Sequence, residues 1–433
     1  MDLLTANDTL GAYPPSFYAA KPGQLPPFPE AEGEIEADVA VVGGGFTGLS
    51  SALHLAGRGY RVVLLEASRV GFGASGRNGG QVGIGQRVDQ DALEAMVGLD
   101  DALALWAMGR QAVALVRDLA ERPEVAVPFH DGIVHADHKR GFVRESHAYA
   151  ERLARDYGYD KLVPLSRTAL REIVTSDAYY GGTLDMGSGH IDPLAFALGL
   201  ARLAQKAGVQ IHETSRVTQI TPGDPVTLHT ARATVRAAFA VFGCNGYLGR
   251  LDRKVAAHVI PINNFIVATE PLGPDGQDAV IAGNHAVADS RFVVNYFRFS
   301  DDHRLLFGGG ETYGYRFPDD IAALVRKPLR KVFPQLADTR IDFAWGGTLG
   351  ITATRMPHFA RLQKNVLSLS GYSGHGVAMA TLAGQIAAET IAGQAERFDV
   401  MARVPNPRFP GGSLLRTPLV ALAMLWYGLR DRL

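Results

Sequence analysis

A short glycine-rich turn is the first place where residue types and spacing indicate chemistry. Gly43-x-Gly45-x-x-Gly48 follows a run of β-branched residues, and Glu66 ends the next apolar run. Such glycines permit a tight turn, close backbone approach to a pyrophosphate and close packing of the next helix on its sheet. The helix start favours phosphate, and a carboxylate in the position of Glu66 can accept hydrogen bonds from a ribose. The pattern predicts a bound adenine dinucleotide, without separating NAD from FAD; a glycine-rich turn with a solvated Glu66 is the alternative.

Two further glycine-rich stretches offer backbone donors to the same ligand. Residues 67–81 lack the apolar periodicity of a helix or strand, and Asn78, Gly79 and Gly80 favour a loop beside an extended cofactor over a flexible surface loop. Residues 371–376 read Gly-Tyr-Ser-Gly-His-Gly and precede a small-residue helix at 377–391. A second helix start at that point would stabilise a developing anion at the far end of the cofactor.

Several side chains near these stretches are candidates for the reaction site. His375 could provide an N–H donor or a partial positive charge near the flavin end; alternatively, it contributes only its backbone to a turn. Tyr372 and Trp345 could form a wall of the substrate site; alternatively, they only pack in the core. Arg77 could contact phosphate or a polar network, or be solvated. Arg355 and His358 flank Pro357 and could only fix a turn. The histidines lack H-x-x-x-H and H-E-x-x-H spacing, so no catalytic metal is predicted.

The elements that must position these residues alternate between helix and strand patterns. Helices are predicted at 91–121 (two, meeting at Gly98), 145–157, 166–174, from Asp192-Pro193 to Gly208, and 319–332; strands are predicted at 129–136, 209–212, 226–229, 238–243, 259–269, 292–299, 304–309 and 366–370. Arg298 and Asn295 could face a ligand or solvent. The pattern predicts an α/β fold in which a Rossmann-like dinucleotide-binding domain is interleaved with an antiparallel-sheet substrate domain.

The predicted division has four parts. Residues 1–36 form an extended arm over the surface; 37–85, 186–250 and 340–400 form the nucleotide domain; 86–185 and 251–339 form the substrate domain; and 401–433 form a tail helix. The apolar core of that tail, residues 418–426, is shorter than the roughly 20 residues that span a bilayer. A docked surface helix is therefore expected, with peripheral membrane contact through 414–433 as the alternative.

Composition excludes several classes of partner. The 433 residues carry 43 Lys and Arg against 44 Asp and Glu, a net charge of -1, so no field favours nucleic acid. Cys244 is the sole cysteine and can form neither an intrachain disulfide nor a thiolate cluster.

The first residues lack a basic segment followed by an apolar run, so we expect no signal peptide and a cytoplasmic protein.

Four blocks of the chain resemble the D-amino-acid-oxidase-type FAD amine oxidoreductases, and within them the group of gamma-glutamylputrescine oxidases. The blocks are residues 41–48 with Glu66, 73–81 (Gly-Ala-Ser-Gly-Arg-Asn-Gly-Gly-Gln), 345–348 with 355–359 (Trp-Gly-Gly-Thr and Arg-Met-Pro-His-Phe), and 371–377 (Gly-Tyr-Ser-Gly-His-Gly-Val). The second and fourth separate this family from pyridine-nucleotide dehydrogenases. The resemblance makes the nucleotide domain an FAD-binding domain.

The resemblance also implies the ligand contacts and the reaction. FAD would have its adenosine at the first glycine turn, its adenine near Val217 and its flavin between residues 74–81 and 374–377. The implied cofactor-binding residues are Gly43, Gly45, Phe46, Thr47, Gly48, Glu66, Ala67, Ala74, Ser75, Arg77, Asn78, Gly79, Gly80, Gln81, Val217, Gly374, His375, Gly376 and Val377. Family members transfer a hydride from an amine carbon to flavin N5, giving an imine that hydrolyses to aldehyde and ammonia, and oxygen then yields hydrogen peroxide.

Two departures from the family pattern leave alternatives open. Covalent relatives use a cysteine in a late flavin-facing motif, whereas Cys244 lies elsewhere, so non-covalent FAD is expected. Sarcosine-type relatives carry a lysine for oxygen chemistry where this chain has Leu305, Leu306 and Phe307, so either oxygen or another electron acceptor could reoxidise the flavin.

The substrate is expected to be a small amine such as gamma-glutamylputrescine. A sarcosine- or glycine-type enzyme, with Arg298 or Arg355 for an α-carboxylate, or a flavin subunit of a heteromeric dehydrogenase are the alternatives.

Overall fold

A computed structural model describes residues 2–249 and 251–410 of the chain. Its strands are β1 (Gly33–Val42), β2 (Val62–Leu65), β3 (Gln81–Val82), β4 (His130–Ala136), β5 (Leu162–Leu165), β6 (Gly182–His190), β7 (Gln210–His212), β8 (Gln219–Thr221), β9 (Val226–His229), β10 (Ala233–Phe242), β11 (Ile260–Pro271), β12 (Ala286–Asp289), β13 (Tyr296–Phe299), β14 (Arg304–Thr312), β15 (Ile341–Ile351), β16 (His358–Gln363) and β17 (Val366–Ser370). The α-helices are α1 (Phe17–Ala20), α2 (Phe46–Ala56), α3 (Gln90–Val97), α4 (Leu99–Ala120), α5 (Arg140–Tyr157), α6 (Arg167–Ile173), α7 (Pro193–Lys206), α8 (Arg253–Ala256), α9 (Gly273–Asp278), α10 (Ile321–Val332), α11 (Gly376–Ile391) and α12 (Glu396–Arg403).

The first sheet has the order β16-β17-β10-β1-β2-β7. Its central strands β17, β10, β1, β2 and β7 run parallel, and β8 and β9 add an antiparallel hairpin beside β10. All four residues of β2 are buried, as expected for a parallel strand covered on both faces. On one side α2 packs against both α7 and α11. The predicted strand, turn, helix and strand of the nucleotide domain are confirmed.

The second sheet has the order β15-β11-β14-β13-β12-β4-β6-β3, with β5 beside β6. Its neighbours are antiparallel except for the parallel pair β4 and β12. Side chains such as Ile266, Leu306 and Trp345 on one face join the core of the nucleotide domain. Phe297 and Phe307, on the other face, pack in a separate core with residues of α10. The sheet therefore forms a wall whose first face can close a site against the nucleotide domain.

Helix signals in the sequence are also confirmed. Asp192 Oδ1 accepts from the backbone N–H groups of Leu194 at 3.1 Å and Ala195 at 3.0 Å, and Pro193 occupies the first helical position of α7. α3 and α4 meet at Gly98, whose φ is +82°. These local patterns fix the helices that flank the sheets.

Three predictions about irregular segments are wrong in detail. The arm does not lie only over the surface, because Phe17 and Tyr18 of α1 are buried in the main core. Residues 67–81 contain a 3-10 turn at Ala74–Gly76, and Gln81 begins β3. The strand predicted at 292–299 begins only at Tyr296, because the Asp289 carboxylate accepts from backbone N–H groups of the following residues and turns the chain.

Domain boundaries stay a prediction, although strand membership is clear. β15 and the end of β6 pair within the second sheet, while the predicted division gave residues 340–351 and 186–190 to the nucleotide domain. The predicted tail helix lies outside the described residues from 411 onward. Across residues 2–249 and 251–410, no helix combines the length and apolarity needed to cross a membrane.

Candidate active site

The turn after β1 forms a narrow backbone cradle. Gly43 has a φ of +105°, a conformation that residues with a side chain rarely adopt. A Cβ on Gly48 would lie 1.8 Å from the Gly43 carbonyl oxygen, and a Cβ on Gly45 would lie 2.8 Å from Ser75 Oγ. α2 then begins at Phe46, whose N–H donates to Ser75 Oγ at 3.0 Å; the preceding Gly45 supplies no side-chain cap, and the first turn has no acidic residue. The positive end of its dipole is therefore available to an anion.

Glu66 closes this cradle at the end of β2. Its carboxylate accepts hydrogen bonds from the backbone N–H groups of Gly44 at 2.6 Å and Ser68 at 2.8 Å. Burial raises the pKa of Glu66 to about 7, although these N–H groups oppose the shift. Val217, which the resemblance places near the adenine, packs in one cluster with Val42 and Leu65 at the ends of β1 and β2. The predicted adenosine-binding residues thus lie together.

The ionisation of Glu66 should make FAD binding pH-dependent. A ribose donates hydrogen bonds best to the carboxylate, so binding favours ionised Glu66 and lowers its pKa from about 7. Affinity should therefore rise with pH, by about tenfold between roughly pH 6 and pH 8, and level off above the pKa of the free protein. Titration of apoprotein with FAD at several pH values, followed by quenching of flavin fluorescence, measures this.

The matched variant is Glu66→Gln, which retains the shape of the side chain but does not titrate. It should bind FAD with an affinity that is independent of pH over the same interval. A pH dependence of equal size in the variant would show that another group is responsible.

The loop at residues 74–81 is held by its own polar side chains. Asn78 donates to the carbonyls of Ala74 at 3.0 Å and Ser75 at 2.9 Å, and its Oδ1 accepts from Gly80 N–H at 2.7 Å. Gln81 donates to the Val287 carbonyl at 2.8 Å. The loop is therefore a fixed surface, and its ligand contacts would come chiefly from the backbone.

Arg77 is buried, so the solvated alternative is wrong. It donates to Asp8 at 2.8 Å and to the Phe72 carbonyl at 2.6 Å, and its guanidinium lies 4.4 Å from the centre of the Phe72 ring. Its Nη2 is buried without a hydrogen-bond partner among the described residues. Arg77 thus anchors the loop and retains one donor that a ligand could use.

Arg298 and Asn295 are both buried, and Arg298 is engaged with the backbone. Its guanidinium donates to the carbonyls of Gly79 at 2.6 Å, Ile191 at 3.0 Å and Phe299 at 3.0 Å. A fourth bond reaches the Tyr18 hydroxyl at 3.2 Å. Arg298 is therefore a structural clamp on the loop, and its nitrogens are already used.

The second glycine turn presents the start of α11. Gly371 and Gly374 have φ of +76° and +91°, and α11 begins at Gly376 with no side-chain cap. His375 Nε2 lies 3.1 Å from the Gly85 carbonyl oxygen, which can only accept, so Nε2 carries the proton. Burial and nearby Arg87 lower the pKa of His375 to about 4. The imidazole is therefore neutral at neutral pH, with Nδ1 as an acceptor, and positive potential comes from the helix start.

Trp345 and Tyr372 are buried with their polar atoms bonded inside the protein. Trp345 Nε1 donates to the Arg77 carbonyl at 3.0 Å, and its ring packs edge-on against Tyr18. The Tyr372 hydroxyl lies 2.7 Å from Thr47 Oγ1 in the first turn of α2. A role for either residue in walling the substrate site stays a prediction.

A group of polar side chains that sequence reasoning did not assemble lies beside the second glycine turn. Its members are Arg87, His135, Glu311, Tyr313 and Arg355. Arg87 Nε donates to the Ser373 carbonyl at 3.2 Å, and the Tyr313 hydroxyl donates to Glu311 Oε2 at 3.2 Å. Burial raises the pKa of Glu311, while Arg355 and Arg87 oppose that rise. We call this group the charged cluster.

The charged cluster is partly enclosed by protein. Arg87 and His135 reach solvent, yet burial lowers the pKa of each. The available sequence signals were the glycines before Arg87, at Gly83 and Gly85, and the glycine run at 308–310 before Glu311.

Tyr296 connects the charged cluster with the loop at 74–81. A Cβ on Gly79 would lie 2.8 Å from the Tyr296 ring, so ring and loop are in close contact. The Tyr296 hydroxyl donates to Asn264 Oδ1, and Asn264 stands opposite Glu311 in the register of β11 and β14. The first face of the second sheet therefore extends from the loop to the charged cluster.

These residues fit an extended flavin dinucleotide. The residue before each of α2 and α11 supplies no side-chain cap, a Cβ would fill the cradle at Gly45 or Gly48, and Arg77 Nη2 is buried without a partner among the described residues. The chain belongs to the FAD dependent oxidoreductase (DAO) family, whose model matches residues 38–390.

Particular relatives resemble the chain over nearly its whole length. It is 41% identical to gamma-glutamylputrescine oxidoreductase of Escherichia coli (strain K12), over 96% of this chain and 98% of that protein. It is also 41% identical to the probable oxidoreductase OrdL of Rhizobium meliloti (strain 1021), over 96% of this chain and 97% of that protein. The crystal structure of glycine oxidase from Geobacillus kaustophilus has the same fold, with a TM-score of 0.69 at 20% identity over 83% of this chain and 95% of that one.

Proposed function

We propose that the protein oxidises an amine C–N bond, with gamma-glutamylputrescine or a related gamma-glutamylated amine as substrate. The observation that carries the proposal is the charged cluster, in which Arg87, Arg355 and Glu311 stand beside the uncapped start of α11. A site with both charges suits an amine that also bears a carboxylate. The similarity to gamma-glutamylputrescine oxidoreductase supports this substrate class.

In this proposal the predicted cofactor-binding residues hold FAD without a covalent bond. The first glycine turn and Glu66 bind its adenosine diphosphate part, and the loop at 74–81 and residues 374–377 flank its ring system. Bound FAD supplies an acceptor for the hydride that leaves the amine carbon. The start of α11 stabilises negative charge that develops nearby.

The remaining chemistry requires orientation rather than a protein nucleophile. The unprotonated Nδ1 of His375 can accept a hydrogen bond from the reacting amine, because Nε2 is bound to Gly85. Tyr296 and the fixed loop bound the site and exclude water. Trp345 holds the loop through its hydrogen bond to the Arg77 carbonyl, and Tyr372 holds the start of α2 through its hydrogen bond to Thr47. Imine hydrolysis then gives an aldehyde and ammonia.

The environment of Cys244 supports a non-covalent cofactor. The thiol donates to the Val42 carbonyl oxygen at 3.5 Å, at the end of β1, and burial raises its pKa to about 12. It is therefore a protonated group and a poor nucleophile toward a flavin. Acid denaturation should release all the flavin into the supernatant, whereas yellow precipitate would contradict non-covalent binding.

The function is tested by product analysis. Purified yellow protein is incubated in air with gamma-glutamylputrescine, putrescine, sarcosine and glycine, and ammonia, aldehyde and peroxide are measured. We expect equimolar ammonia and aldehyde from gamma-glutamylputrescine. Peroxide in the same amount would identify oxygen as acceptor, whereas products formed only with an added dye would indicate another acceptor. Absence of ammonia from every amine contradicts the proposal.

Oxidation of an N-substituted amino acid is the second candidate, because Arg355 in the charged cluster could bind an α-carboxylate. Arg298, the other arginine considered for that role, has its nitrogens bonded to carbonyls and to Tyr18. Products from sarcosine or glycine, without products from gamma-glutamylputrescine, would favour this candidate. The third alternative, that this chain is the flavin subunit of a heteromeric dehydrogenase, depended on the apolar tail at 414–433, which lies outside the described residues.

A further inference from the structure

We propose that the charged cluster recognises the non-reacting end of the substrate as a free α-amino acid. Arg87 and Arg355 bind its α-carboxylate, and Glu311 binds its α-ammonium group. This inference rests on the proposed amine oxidation and adds a requirement to it. A substrate must carry both charges at the end opposite the reacting amine.

The two arginines come from separate segments that meet at Ser373. The turn that carries Arg355 is bonded to the second glycine turn, since Thr352 N–H donates to Ser373 Oγ at 3.2 Å and Ser373 N–H donates to the Gly350 carbonyl at 3.0 Å. Arg87 reaches the same turn through the Ser373 carbonyl. Arg355 has a φ of +65°, a sparsely populated conformation that is commoner at functional sites. Its position is thus fixed by several contacts.

The charges of the cluster are close but not neutralised by salt bridges. Arg87, Arg355 and Glu311 form no ion pair with another described side chain. They nevertheless influence one another, because both arginines favour the ionised form of Glu311. Charges that are not paired with one another are available to a ligand of complementary charge. A carboxylate between the arginines and an ammonium at Glu311 would complement them.

Glu311 has one oxygen available for this ammonium group. Tyr313 donates to Oε2 at 3.2 Å, and no described group donates to Oε1. An ammonium group donates in three directions and pairs well with a carboxylate oxygen. Tyr313 therefore orients the carboxylate and leaves its other oxygen for the ligand.

The contacts of the cluster set the direction of the substrate in this proposal. Tyr296 contacts the loop at Gly79 and is bonded to Asn264, which pairs with Glu311 across β11 and β14. The charged cluster and the loop at 74–81 are therefore joined through these side chains. An amino-acid head at the cluster directs a terminal amine on a flexible chain toward that loop. Gamma-glutamylputrescine has this order of groups.

Three substrates with the same reacting amine test the inference. N-glutarylputrescine lacks only the α-ammonium of gamma-glutamylputrescine, N-(4-aminobutanoyl)putrescine lacks only the α-carboxylate, and putrescine lacks both. Flavin bleaching by each is followed anaerobically over a range of concentrations. For the wild type, each deletion should raise the half-saturating concentration by about 10- to 100-fold, the range expected for one charged hydrogen-bonded contact.

Variants assign each charge to its residue. Glu311→Gln should lose discrimination against N-glutarylputrescine while retaining that against N-(4-aminobutanoyl)putrescine, and Arg355→Gln and Arg87→Gln should show the reverse. The matched controls are Glu121→Gln and Arg122→Gln at the exposed end of α4, which should behave as wild type. The flavin content of each variant verifies that it has folded.

The outcomes separate this inference from the proposed function. Bleaching by gamma-glutamylputrescine with equal half-saturating concentrations for all four amines would overturn the inference and leave amine oxidation standing. Full discrimination retained in Glu311→Gln, Arg355→Gln and Arg87→Gln would overturn it as well. Absence of bleaching with every amine would overturn both.

Discussion

Gly48→Ala is expected to yield a protein that purifies without FAD. The added Cβ would lie 1.8 Å from the Gly43 carbonyl oxygen, so α2 must move away from β1 or the turn must open. Either change displaces the N–H groups that would face the pyrophosphate. Overpacking of this kind costs roughly 1–3 kcal/mol and sometimes more. Because the distortion falls on the cradle itself, we expect FAD affinity to fall by about 100-fold or more.

The ratio of visible flavin absorbance to protein absorbance measures this effect directly, and titration of apoprotein gives the affinity. Gly141→Ala is the matched control, since Gly141 lies in α5 and an added Cβ there meets no atom within 4 Å. It should bind FAD as the wild type does. A yellow Gly48→Ala protein of unchanged affinity would contradict the geometry assigned to the cradle.

Arg298→Met is expected to destabilise the fold and to loosen the loop at residues 74–81. The change removes the donors for three carbonyls, two of which belong to Gly79 and Ile191, and for the Tyr18 hydroxyl. Each buried polar group left unsatisfied costs about 1–3 kcal/mol. Several such groups are left at once, so we expect the free energy of unfolding to fall by about 3–5 kcal/mol.

Urea unfolding followed by circular dichroism measures the loss, and flavin release during the titration reports on the loop. Arg236→Met, at an exposed arginine of β10, is the control and should change stability little. If Arg298 instead served a substrate carboxylate, Arg298→Met would remain as stable as wild type and lose turnover of amino-acid substrates. That result would revive the sarcosine- or glycine-type alternative.

Local chemistry explains what could be predicted from the sequence. The cradle at Gly43–Gly48, the start of α7 at Asp192 and the break at Gly98 each depend on neighbouring residues, so their patterns are visible along the chain. The alternation of helix and strand patterns likewise predicted the α/β fold with two interleaved domains. These elements carry the two glycine turns to the starts of α2 and α11.

Long-range contacts explain what could not be predicted. Arg87, Glu311 and Arg355 meet only because the register of β11 with β14 and the turn at Ser373 bring distant segments together. The direction of Arg298 likewise depends on carbonyls of two other segments and on Tyr18 of the arm. No periodicity in the chain encodes such meetings, so sequence reasoning named Arg298 and Arg355 without distinguishing a clamp from a site residue.

Single-turnover reduction by gamma-glutamylputrescine tests the proposed amine oxidation most directly. The FAD-loaded protein is mixed anaerobically with gamma-glutamylputrescine, and the visible flavin absorbance is followed. We predict complete bleaching at a rate that saturates with substrate concentration, with release of ammonia equimolar with the flavin. An oxidised spectrum that persists at the highest substrate concentration, in protein that carries one FAD per chain, would contradict the proposal.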